Sequence, residues 1–112
     1  MIRRPRFNNP TQRAITDAVS YETPRFFIKM IWSYVDSLWV DNIRPSEVQY
    51  FHIQQNRRQC DIAFQQDSPQ YHDHWSIDLI NDDFILPQTL VLVNARQVRT
   101  LCLPDEVPNL LS

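Results

Sequence analysis

The chain has 112 residues, thirteen acidic and eleven basic side chains, and a formal net charge of −2, with 43% hydrophobic residues. That length suits one domain with a real core, and the charge balance argues against a broad nucleic-acid or membrane-surface footprint. Glycine is absent, where average usage of about 7% predicts roughly eight. Its absence excludes the phosphate-cradling loop, the dinucleotide fingerprint and the glycine-based nucleophile elbow.

Residues 1–12 carry Arg3, Arg4, Arg6 and two prolines and read as a loosely ordered arm. A basic arm touching RNA, DNA or an acidic partner is the alternative, but three arginines release few counterions. No apolar stretch suited to a signal peptide lies in residues 1–20, and no run suits a membrane span, so a cytoplasmic location is expected. Arg13 to Val19 is a short strand or an approach segment, with no clean alternation.

The strongest pattern is a helix over residues 23–40. Thr23 is the expected N-cap and Pro24 the first helical residue. Ile28, Ile31, Trp32, Val35, Leu38 and Trp39 fall on one face. Phe27, Met30 and Tyr34 widen it to roughly 200°, beyond the stripe that one sheet covers. These three are therefore candidate interface residues for a second copy of the chain, and a homodimer is expected. Asp41, Asn42 and Pro45 end the helix.

Residues 47–104 read as antiparallel strands. Val48, Phe51 and Ile53 are core candidates of the first, with Val48 on the same face only through a bulge. Asn56 to Arg58 form a hairpin turn, and Cys60, Ile62 and Phe64 alternate with polar residues in the next strand. Asp67 to Gln70 turn the chain. Trp75, Ile77 and Leu79 mark a further strand, and Asn81 to Asp83 a loop. Leu90 to Val93 is continuously apolar, as in a strand covered on both faces. Asn94 to Gln97 turn into a last strand over residues 98–103, and residues 105–112 form a tail that tucks Leu110 and Leu111 onto the core. Without glycine, the turns are expected to rest on Asn, Asp and Pro. The fold class is α+β: an antiparallel sheet of about five strands packed on one central α-helix.

The densest polar constellation is Gln66, Asp67, Tyr71, His72, Asp73 and His74. His72 and His74 share a strand face and form half of a conceivable metal site, which needs further ligands such as His52 or Cys60. Exposed polar residues on a solvent-facing strand are the simpler explanation, and no metal or cofactor is expected. Asp82 and Asp83 are read as solvated loop acids, and Cys60 and Cys102 as buried thiols, with a disulfide or metal pair as the alternative. Arg57 and Arg58 near Tyr50 and His52 loosely suggest a nucleic-acid-binding sheet, against the simpler reading of a charged hairpin tip.

Four blocks stand in order along the chain: Arg13, Thr16, Pro24, Trp32 and Asp36; then Val48 to Phe51; then Gln66, Asp67, Pro69 and Tyr71; then Thr100, Leu101, Leu103, Asp105 and Glu106. Their series is similar to that of the family called domain of unknown function 960, first catalogued as staphylococcal proteins. The chain departs from the family where glycine is common, including residues 94–97. The resemblance implies a small bacterial or phage-type cytoplasmic protein and brings no activity with it. From the residues, the expected function is a non-catalytic protein-binding or assembly module. A nucleic-acid-associated accessory protein, or a small enzyme using His72, His74 and Asp67, is the alternative.

Overall fold

The structure is a computed structural model that describes residues 12–80 and 83–112; the expected arm at residues 1–12 lies almost wholly outside them. The elements are β1 (Gln12–Ile15), α1 (Asp17–Glu22), α2 (Arg25–Val40), β2 (Val48–Asn56), β3 (Gln59–Asp67), β4 (Gln70–Asp78), β5 (Thr89–Ala95) and β6 (Val98–Cys102). A 3-10 turn at Pro104–Glu106 leads into α3 (Val107–Leu111). The strands form a six-stranded sheet in the order β1-β6-β5-β2-β3-β4.

The expected antiparallel sheet of about five strands on one central helix is corrected by this arrangement. The sheet has six strands and is mixed, because β1 joins β6 in parallel. Helical residues are divided among α1, α2 and α3, and α3 packs on the face opposite α2, so no single central helix organises the sheet. The physical reason lies in two segments. Residues 13–19 lack a clean period because they serve two elements, an edge strand and then a helix. Thr16 ends the first and caps the second, its hydroxyl accepting from the Val19 N–H. The apolar strand β5 needs cover on both sides, which one helix cannot give.

Registers follow the alternation of each strand. Phe51 pairs with Phe64 on one side and Leu90 on the other. The α2 face of the sheet carries Phe51, Ile53, Cys60, Ile62, Phe64, Leu90, Leu92 and Leu101, clustered with Phe27, Ile28, Ile31, Val35 and Leu38 of α2. On the other face Val91, Val93 and Cys102 meet Val48, Tyr50, Val107 and Leu110. Val48 thus belongs to the second cluster and no bulge is needed. Of the two tail leucines, Leu110 packs there and Leu111 stays exposed.

Helix α2 begins one residue later than the sequence suggests. Pro24 holds the cap position and Thr23 closes α1. The buried Thr23 hydroxyl has no hydrogen-bond partner among the described residues. The helix ends through left-handed Asn42, with the Ile43 N–H bonded to the Leu38 carbonyl at 2.9 Å, the Schellman arrangement. Elsewhere the expected turn chemistry is wrong in detail. Positive φ falls on Arg57 (58°), Arg96 (57°) and Gln97 (67°), so long polar side chains occupy positions that glycine would take in tight hairpins. Removing the side chain of Ile31, which is fully buried, is expected to lower stability by about 2–5 kcal/mol. Urea unfolding of Ile31→Ala measures it, and a loss within about 0.5 kcal/mol would be the mark of a surface position.

Candidate functional site

The sheet sorts the sequence-predicted residues onto opposite faces. In β3 and β4, Gln66, Tyr71 and Asp73 point toward α2, while Asp67, His72 and His74 are exposed on the other side. The constellation therefore does not assemble as one site.

Gln66 is only 1% exposed and is a structural centre. Its Oε1 accepts from Gln49 Nε2 at 2.9 Å and from the Ser46 N–H at 3.3 Å. Its Nε2 donates to the carbonyls of Arg44 (2.8 Å) and Pro69 (2.9 Å). Gln49 Oε1 in turn accepts from Asn94 Nδ2, which also donates to the Ser46 carbonyl. One buried amide network thus joins β2, β3, β5, the approach to β2 and the β3–β4 turn. Tyr71 packs on Phe64. Asp73 accepts from the Tyr34 hydroxyl through Oδ2 at 2.9 Å and from the His74 N–H through Oδ1 at 2.8 Å. Burial first, and this carboxylate second, push the Tyr34 phenol well above its ordinary range.

Of the three candidate interface residues, Phe27 is buried within the chain and Met30 and Tyr34 are half-buried. Phe27 has no exposed surface. Met30 packs against the core, and Tyr34 stacks on Trp75 with ring centroids 4.2 Å apart. Strand β4 thus meets part of the apolar width of α2, at Tyr34.

A second polar centre was not visible in the sequence. Arg99 is buried, and its Nη1 lies 3.8 Å from Asp36 on α2. Arg13, its neighbour across the β1–β6 pair, binds the same carboxylate and lies over Trp32. Burial first, then Arg13, lower the Arg99 pKa, and Asp36 opposes them. An arginine in an apolar strand gives no signal for this; only the parallel pairing of β1 brings the two guanidiniums together. Thr16, also in the first sequence block, donates to Glu106 in the last at 2.8 Å.

What remains uncovered is half of the sheet's second face. Helix α3 packs over β5, and the side chains of β2–β4 on that side are mainly exposed. In register across these strands lie Tyr50, Gln65 and His72; then His52, Ala63 and His74; then Gln54, Asp61 and Ser76. The rings of Tyr50 and His52 are parallel within 2°. Small Ala63 between two histidines leaves a shallow hollow of about 180 Å³, bordered by Gln54, Asp61 and Gln88. Ser76 hydrogen-bonds Asp61. Among the described residues no three His, Cys, Asp or Glu side chains gather as a metal site. Cys60 faces the α2 core, across the sheet from His72 and His74; Asp82 lies outside the described residues.

A six-stranded mixed sheet with small helices on both faces, half of one face left bare, defines a small sheet protein with an open surface. The chain belongs to the family described as staphylococcal protein of unknown function (DUF960), which matches residues 12–106. Its fold is similar to that of a protein of unknown function from Enterococcus faecalis known from a crystal structure. The two are 20% identical, with a TM-score of 0.71 over 89% of this chain and 96% of that one. No curated protein matches the chain. No helix among the described residues is long and apolar enough to cross a membrane.

Two outcomes test the polar and thiol chemistry. Gln66→Met orphans several buried donors and acceptors, at about 1–3 kcal/mol each, so a stability loss above about 2 kcal/mol in urea is expected, and a neutral change would remove the network's importance. Cys60 and Cys102 are free and buried, and burial raises both thiols, Cys102 from 9.0 to about 11. The folded protein is expected to resist alkylation at pH 8 and to react at both thiols once unfolded. Because the neutral thiol is the form that the fold favours, this contribution to stability is intact below the ordinary thiol pKa and falls as pH rises toward 11.

Proposed function

We propose that the protein is a non-catalytic binding and assembly module whose open β2–β4 face holds a protein partner. The supporting observation is the contrast between the two halves of one sheet face, one closed by α3 and the other left open around Tyr50, His52, His72 and His74. Planar, partly apolar rings on a flat strand surface suit protein contacts, where aromatic side chains supply area at low entropic cost. The same rings would suit single-stranded nucleic acid, but Asp61 and Asp78 stand on this face and oppose a polyanion. Catalysis is not favoured, because no activated nucleophile accompanies the histidines. Two reduced buried thiols fit a cytoplasmic setting. As an assembly module it would act as a homodimer, through a surface other than Phe27, Met30 and Tyr34.

The test is affinity capture from the host, comparing wild type with His52→Ser His72→Ser His74→Ser. All three positions are exposed, so the fold should survive, as circular dichroism would confirm. A protein held by wild type and lost by the variant is the expected result. Retention of the same protein by the variant, or nucleic acid alone in the eluate, overturns the proposal.

A further inference from the structure

Strand β4 is the last in the sheet order and has nine residues. Its sequence, QYHDHWSID, contains neither proline nor lysine, two residues that discourage edge pairing, and its one inward charge, Asp73, is tied to Tyr34. The Leu79 N–H bonds the Arg58 carbonyl of the β3 side. Alternation in an antiparallel pair therefore turns the N–H and C=O groups of His72, His74, Ser76 and Asp78 outward. Among the described residues no strand pairs with that edge. Asp73 meets one of these groups, taking the His74 N–H; among the described residues no side chain caps the outward groups of His72, Ser76 and Asp78 in this way.

We propose that β4 pairs antiparallel with β4 of a second copy, about a two-fold axis at Trp75. This rests on the assembly reading above and names its interface. The register follows from the residues. A two-fold at Trp75 sets His74 opposite the partner's Ser76 and His72 opposite the partner's Asp78. All four have their backbone groups turned outward, so the ladder closes without distorting either sheet. It also puts imidazole against carboxylate twice, a complementarity that the chain supplies to itself. The His74 N–H exchanges Asp73 for a main-chain carbonyl, and Asp73 keeps its bond to Tyr34. The pair makes one continuous sheet and sets the two open β2–β4 faces side by side. An extended peptide of another protein could use the same edge, but it would lack this built-in symmetry.

Sedimentation of the intact protein up to high micromolar concentration tests the pairing. Wild type is expected at twice the 13.4 kDa chain mass. Ser76→Pro removes an outward N–H without touching the β3 ladder, and is expected to be a folded monomer. His72→Cys Asp78→Cys is expected to form disulfide-linked dimers on oxidation, since these positions are opposite each other only between copies. A monomeric wild type overturns the pairing, as does a dimer that survives Ser76→Pro and fails to cross-link. The capture experiment reads separately. A monomeric wild type that still captures its partner through the open face overturns the pairing alone. A cross-linked dimer with no captured protein upholds the pairing and overturns the face.

Discussion

Strand β5 has no solvent side, and most of the architecture follows from that. Leu90 and Leu92 point into the α2 cluster, and Val91 and Val93 into the cluster beneath α3. A central strand with apolar groups on both faces must be covered twice, at about 25 cal/mol for each Å² removed from water. Helix α2 covers one face across β2–β5, and its Tyr34 reaches out to Trp75 of β4. The other cover, α3, has only five residues. It shields β5 and its immediate surroundings and goes no further. The open face of β2–β4 is thus what remains when a short helix protects the one strand that cannot do without it.

The interior polar groups act on register more than on net stability. A slip of one residue in β2 or β3 would turn Gln49 and Gln66 out of their shared network and bury unmatched side chains in their place. The network therefore penalises wrong pairings more than it rewards the right one. The Arg13, Asp36 and Arg99 cluster has the same logic at the other end of the sheet. A buried guanidinium needs its carboxylate, so β1, β6 and α2 are held in one relative position. Thr16 and Glu106 fasten the beginning of the described chain to its end.

Much of this was legible in the sequence where periodicity is strong. The alternation of Cys60, Ile62 and Phe64, and the continuous run from Leu90 to Val93, state the burial of β3 and β5 directly. The α2 stripe names Ile31, Val35 and Leu38 as buried. Legibility fails where a residue's role depends on a distant segment. Nothing local says that Arg13 lies in a strand parallel to β6, or that Arg99 is buried beside it. The polar cluster at residues 66–74 is adjacent in sequence but split by the pleat, which sends Gln66 and Tyr71 inward and His72 and His74 outward. The apolar width of α2 is plain in its sequence, but its periodicity does not say that Tyr34 meets Trp75 and Asp73 of β4.

The turns without glycine have a consequence beyond local geometry. Arg57, Arg96, Gln97 and Asn42 hold left-handed backbone, a conformation that costs side-chain-bearing residues of order 1–3 kcal/mol each when it is strained, and least for Asn. Among the described residues the native state carries that burden at four positions. The denatured chain carries a compensating one at every position, because it has no residue with glycine's free access to both halves of conformational space. Its ensemble is narrower, and less disorder is surrendered on folding. Part of what keeps this protein folded therefore resides in the state it leaves behind, where no inventory of native contacts would find it.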